Sequence, residues 1–422
     1  MKRRLLAVII LVAAILPAQA HFARLWEPVP TDRLFANVGR YVREHPKDPR
    51  GHYTLGRLHA LVYSSGTRPV DKLDVVMKDW KSGKPVALPD FVPYDSVRVK
   101  PPAVSGKLPE ALRIHLAASL GEYHWAVAMA PKEPLYLLGF AWMLEQGAAH
   151  AAEVGEATSA MRVGATEEAF RQRALDLYRQ AYALTIKKEV DGRARNITEG
   201  DTSIATEAGE GILSILGKSK HQTDFDRAEM ARVKRDLAEI SAKPAFVTPV
   251  VFTMRPVTTL QKLLGERTAR FDLAASGRAD IWPWVKPDTG ILVWDPERSV
   301  RIVSGRQLFG SRTWQMFWRN GYEALAALDD DGNGWLEGRE LAGIAVWFDR
   351  NGNGRSDTGE VIPVAALGIT RIRVWPGGVR DDVPWSDSGI ELADGRRIPT
   401  WDWTPRSLAA EPRLPAALQT WN

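Results

Sequence analysis

The chain has 422 residues, a formal net charge of +5 at pH 7 and no cysteine. A chain this long exceeds what one hydrophobic core covers, so it divides into at least two parts. Without cysteines no disulfide can hold it, and apolar cores, with help from metal, must do so.

The first twenty residues read as an export signal. Lys2, Arg3 and Arg4 form a basic start, Leu5 to Leu16 an apolar run, and Ala18-Gln19-Ala20 a small-residue cleavage site. The apolar run is too short to span a bilayer as a helix, and no later stretch is apolar enough to do so. Removing three cations and no anions (5 minus 3) leaves about +2. That near-neutral balance gives no basis for nucleic-acid or membrane-surface binding. The mature chain is therefore expected to be exported, in the periplasm or outside the cell.

Residues 21–244 are expected to be helical. Leu34, Val38 and Tyr41, then Leu55, Leu58 and Leu61, keep helical spacing around a turn containing Pro46 and Pro49. The same plan recurs from Tyr123 to Leu144 around Pro131 and Pro134, and a third amphipathic run covers Glu167 to Leu184. Two more helices are expected at Thr202 to Leu216 and Asp224 to Ile240. The hairpins resemble tetratricopeptide repeats, with Leu55-Gly56 and Leu138-Gly139 at the tight helix crossings. That resemblance implies a scaffold for a protein partner. The proline turns lie 85 residues apart (131 minus 46), not a multiple of the roughly 34-residue repeat, and residues 64–108 interrupt the array. A helical bundle without repeats fits these residues as well.

Near residue 244 the chain changes character. Val247 to Met254 is β-branched and apolar, and so strand-like. Residues 245–422 are expected to form a β-containing domain, making the fold α+β. Glu391 to Pro399 reads as a hairpin turning at Asp394-Gly395. Twelve of the sixteen tryptophans follow residue 280; large buried filler is the favoured reading over a ligand-stacking platform.

Two twelve-residue segments in this half share one design. The first places Asp329, Asp331 and Asn333 at alternate positions, then Gly334, Trp335, Glu337 and Glu340. The second repeats it with Asp349, Asn351, Asn353, Gly354, Arg355, Asp357 and Glu360. Ca²⁺ takes roughly six to eight oxygen ligands at about 2.3–2.6 Å. A short chain supplies them by turning sharply at glycine while pointing alternate side chains inward. Trp335 and Arg355 would offer backbone carbonyls, and Glu340 and Glu360 both carboxylate oxygens. Mg²⁺, which keeps several waters in octahedral sites, suits the pattern less well.

These segments resemble EF-hand calcium loops, but the eight residues between them, 341–348, leave no room for two helices. The arrangement resembles the EF-hand-like modules of large bacterial secreted and surface proteins. It is carried by Val346, Trp347, Asp349, Asn351, Asn353, Gly354, Gly359, Glu360, Gly368 and Ile369. Upstream, Gly305, Leu308, Phe309 and Gly310 fit the same pattern. It departs at Ser356, where such loops usually carry an apolar residue that pairs with a partner loop. Segments beginning at Asp272 and Asp295 look like eroded loops, the latter with Val300 where glycine belongs.

No catalytic metal motif, nucleophile elbow or phosphate-binding loop is present. Asp-Thr-Gly at 288–290 and Asp-Ser-Gly at 387–389 are the tripeptides of aspartic proteases, but a third copy at 357–359 lies inside a loop. The leading expectation is an exported Ca²⁺-binding protein with a helical interaction scaffold. The competing class is a secreted glycan or peptide hydrolase with structural Ca²⁺. N-terminal sequencing of the exported product should read His21-Phe22; a membrane-bound form retaining Met1 would reject the cleaved signal.

Overall fold

A computed structural model describes residues 30–65, 77–78, 85–86, 106–155, 159–190, 204–241, 247–275, 279–316 and 318–408. The expected export signal, and most of the interrupting segment at 64–108, lie outside the described residues. The fold is α+β, with helices first and an antiparallel sheet after them. Among the described residues, no helix is long and apolar enough to cross a membrane.

The helices are α1 (Thr31–Glu44), α2 (Pro49–Ser65), α3 (Glu110–Met129), α4 (Pro134–Gly147), α5 (Glu167–Val190), α6 (Ile204–Lys218) and α7 (Asp224–Ser241). Proline opens α2 and α4, where its missing N–H removes no helical bond. The turn between α1 and α2 is tied by Asp48, which accepts from the Tyr41 hydroxyl at 2.6 Å and the Arg50 backbone N–H at 3.0 Å. Both crossing glycines face one ring. A Cβ on Gly56 would lie 3.0 Å from Tyr123, and one on Gly139 2.8 Å from it. The expected hairpin from Tyr123 onward is longer than its pattern suggested, because α3 begins at Glu110.

The sheet is built from short strands. Its order is β5 (Trp335–Glu337), β8 (Ile369–Arg373), β10 (Val383–Leu392), β11 (Arg397–Asp402), β1 (Val250–Thr253), β4 (Thr289–Trp294), β6 (Ile344–Trp347) and β7 (Val361–Pro363). β9 (Gly378–Arg380) pairs with β10, and β2 (Leu264–Phe271) with β3 (Asp280–Val285) forms a separate hairpin. The hairpin expected at Asp394-Gly395 joins β10 to β11.

Both faces of the central strands are buried, which explains their unbroken apolar runs. Val250, Phe252, Leu292 and Val346 face a core that also holds Phe309, Trp314, Tyr322 and Leu325. Val251, Ile291, Val293 and Trp347 face a second core, filled by Trp282, Trp284 and Trp401. These four tryptophans are fully buried, so they serve as large apolar filler here. Close backbone approach explains Gly310: a Cβ there would fall 1.5 Å from the Thr248 carbonyl oxygen.

One buried group is costly. Asp402 ends β11 without solvent exposure and accepts the Gly321 N–H at 2.8 Å. Burial, with a contribution from the Glu323 carboxylate, pushes its carboxyl up to about 7. The folded chain therefore holds a proton that the unfolded chain releases above about pH 4. This contribution is complete below about pH 4 and is lost as pH rises to about 7. Asp402→Asn keeps the acceptor and removes the titration. Urea unfolding from about pH 4 to 8 should show a smaller loss of stability in the variant; parallel profiles would reject a raised carboxyl.

Candidate metal centre

The first loop (329–340) follows a short helix, α8 (Gly321–Ala326), which the Asn320 side chain caps by accepting the Glu323 N–H at 3.1 Å. Asp329 is buried and turned inward. Its Oδ1 accepts the N–H groups of Gly332 at 2.7 Å and Asn333 at 3.2 Å, and its Oδ2 that of Gly334 at 2.9 Å. The buried Glu340 reaches back to close the ring: Oε1 accepts the Asp330 N–H at 2.6 Å and Oε2 the Glu337 N–H at 3.1 Å. Asp331 accepts from Asn333 through both its backbone and its side-chain amide, each at 3.0 Å. Asn333 also donates to Glu337 at 3.1 Å, and its Oδ1 accepts the Trp335 N–H at 2.8 Å.

The second loop (349–360), between β6 and β7, repeats this frame. Asp349 accepts from Gly352, Asn353 and Gly354 at 2.8, 3.1 and 2.8 Å. Glu360 accepts from Arg350 and Asp357 at 2.8 and 3.0 Å. Asn351 Oδ1 accepts the Asn353 N–H at 3.0 Å, and Asn353 Oδ1 the Arg355 N–H at 2.7 Å. The side-chain amides of Asn351 and Asn353 donate to Asp357 at 2.7 and 2.9 Å and hold its carboxyl below the usual range. Gly334 and Gly354 take positive φ, +87° and +71°, as the sharp turn requires.

In the first loop, ligand oxygens of Asp329, Asp331 and Glu340 lie within 4.8 Å of one another. Burial raises the Asp329 carboxyl, and the neighbouring Glu340 carboxylate adds to it; backbone N–H groups oppose the rise. Asp349 is raised by burial in the same way, with Glu360 contributing. Gathered carboxylates of this kind gain from a cation. Every donor in the set is oxygen, which suits a hard metal ion rather than a soft one. The cluster can therefore hold a metal ion. The two residues expected to serve through their carbonyls have exposed or half-buried side chains. Arg355 is exposed, and the Trp335 ring lies 4.5 Å from the Arg371 guanidinium and 5.3 Å from that of Arg373.

The indole of fully buried Trp284 donates to Asp349 Oδ2 at 2.6 Å. Trp284 packs edge-on against Trp347, with ring centroids 5.8 Å apart. Nothing local in the sequence marks Trp284, which stands 65 positions from its partner. The segment at Asp295 keeps the loop plan with fewer acids and no glycine at the turn. Asp295 accepts from the Ser299 and Val300 N–H groups at 2.8 and 3.0 Å, the same offsets that Asp329 uses to Asn333 and Gly334. Val300 takes φ +54° without being glycine. Ser356 does reach a partner loop, though through its hydroxyl: the Ile302 N–H donates to its Oγ at 2.8 Å. Leu336, at the matching place in the first loop, pairs instead with Ile372 in β8. The segment starting at Asp272 is described only in part. Of the protease-like tripeptides, Asp288 forms an ion pair with Arg255 at 2.9 Å and Asp387 is exposed; neither resembles a buried acid sharing a proton.

A family model of the SPM domain matches residues 258–394, which include both loops and exclude the seven described N-terminal helices. The iron-regulated protein FrpA of Neisseria meningitidis serogroup C is 30% identical over 135 residues. The matched stretch is 31% of this chain and 11% of that relative's length.

Gly354 and Gly359 separate two demands on the second loop. Both have positive φ, but a Cβ on Gly354 would lie 2.7 Å from the Arg270 carbonyl oxygen and one on Gly359 meets open space. In chelator, Gly359→Ala should lose about 1 kcal/mol from backbone strain alone. Gly354→Ala should lose at least about 1 kcal/mol more. Equal losses in urea unfolding would show that the Arg270 contact yields freely.

Proposed function

We propose that this chain is an exported calcium-binding protein. Ca²⁺ organises its sheet region through the loops at 329–340 and 349–360, and its helical region serves as a protein-interaction scaffold. The observation that carries the reading is the shared hydrogen-bond frame of the two loops. Two stretches of different sequence turn their first carboxylate and their closing glutamate inward through matching backbone bonds.

In the first loop, Asp329, Asp331, Asn333, Glu337 and Glu340, with the Trp335 carbonyl, would hold the ion. In the second, Asp349, Asn351, Asn353, Asp357 and Glu360, with the Arg355 carbonyl, would do so. The number and flexibility of these oxygens favour Ca²⁺ over Mg²⁺. The ion supplies charge neutralisation and cross-linking of the loop; the chain supplies the turn.

Affinities of about 10⁻⁵ to 10⁻³ M are expected, the sensor-to-extracellular range. The first loop carries Asp329, Asp331, Glu337 and Glu340, four acids at ligand places against three in the second (Asp349, Asp357 and Glu360). It should bind more tightly. Calorimetry on the full chain should find two sites, and one site in each of Glu340→Gln and Glu360→Gln, with the tighter one surviving in Glu360→Gln. At 100 times Kd, each independent site adds about 2.7 kcal/mol to stability, visible as a raised unfolding temperature and as altered emission of Trp284, Trp335 and Trp347. An unchanged melting curve, with no calcium heat, would reject the reading.

A further inference from the structure

The start of the first loop is gripped by the helical region. Arg33 donates through Nε to Asp330 Oδ1 at 3.1 Å and through Nη2 to the Leu328 carbonyl at 2.6 Å. Asn37 donates to the Ala327 carbonyl at 3.0 Å and to Asp330 Oδ1 at 3.1 Å. Arg40 donates to the Asp329 carbonyl at 2.9 Å and to that of Asp330. The spacing i, i+4, i+7 puts all three on one face of α1. Leu34 and Val38, on a neighbouring face, are buried in the helical core, and Phe35 packs edge-on against His59 of α2 at 4.8 Å.

The peptide unit between Asp329 and Asp330 is held from both sides. Its carbonyl accepts from Arg40, while its N–H donates to Glu340, the residue that closes the loop. Turning that peptide disturbs the α1 contact and the Glu340 contact together. The second loop has the matching Arg350-to-Glu360 bond, but α1 makes no contact with it among the bonds described.

Resting on the calcium reading above, we propose that α1 belongs to the first loop's metal site. Arg33, Asn37 and Arg40 are positioning residues. Docking of α1 and uptake of the ion at Asp329–Glu340 are one linked equilibrium. α1 holds the turn that the ion requires, so less ordering remains to be done on binding. By reciprocity, the ion must strengthen the docking of α1 by the same factor.

Asn37→Ala is the cleanest probe, because it removes two bonds and no charge. In the full chain titrated with Ca²⁺ alone, it should weaken the first site roughly fivefold or more and leave the second unchanged. Hydrogen exchange supplies the reciprocal readout. Ca²⁺ should slow exchange in residues 31–44 of the wild type and of Glu360→Gln, but not of Glu340→Gln. Calcium uptake at both sites, with α1 exchange unmoved and the first-site affinity unchanged in Asn37→Ala, would overturn this proposal alone. A wild-type chain that takes up no calcium would overturn it together with the calcium reading.

Discussion

Carboxylates crowded into a small volume repel one another, and both loops are built around that repulsion. Asp329, Asp331 and Glu340 bring ligand oxygens within 4.8 Å. The chain opposes the repulsion with its own N–H groups, three of them aimed at Asp329 and two at Glu340. Such bonds stabilise a carboxylate but supply only partial charges. Burial raises the Asp329 and Asp349 carboxyls, and the neighbouring Glu340 and Glu360 carboxylates add to the rise. The loops therefore stand as shaped but electrostatically unfinished rings.

The rest of the sheet region keeps those rings in shape. One residue, Phe348, separates the end of β6 from Asp349, and β7 leaves directly from Glu360. The two strands pair, Trp347 with Val361, so the ends of the second loop cannot separate without breaking the sheet. Beneath it, Trp284 fixes Asp349 Oδ2 from within the apolar core. A buried indole N–H usually finds an acceptor, and for Trp284 it is the Asp349 carboxylate. Core packing and loop geometry are one problem at this point.

The loops were legible in the sequence because their chemistry is local. Asp329 finds its backbone donors within five positions, and Glu340 within ten. Ligand spacing and glycine placement therefore carry most of the geometry. The helices were legible for a similar reason, since Leu34 and Val38 or Leu58 and Leu61 declare a buried face by spacing alone. The start of α3 at Glu110 was missed because its flank of proline and lysine masks the pattern. Longer-range matters were out of reach. No local signal places β11 between β10 and β1, or sends Trp284 to Asp349. Ser356 looked like a lost pairing residue because apolar packing was the expected means; its hydroxyl does the pairing by a bond to Ile302.

The contacts of the two loops also differ in how far along the chain they reach. Ile302 and Ser356 are 54 positions apart, and Trp284 and Asp349 are 65. Asn37 and Ala327 are 290 apart. Loop-closure entropy grows only with the logarithm of length, so the longer connection costs about 1.5 kcal/mol more. Order of synthesis matters too. α1 emerges first and its docking surface arrives some 290 residues later, when the helices between them have had time to fold. The second loop can be completed by the sheet region working alone. The first also needs α1, so it is complete only when the helical region has docked against the sheet region.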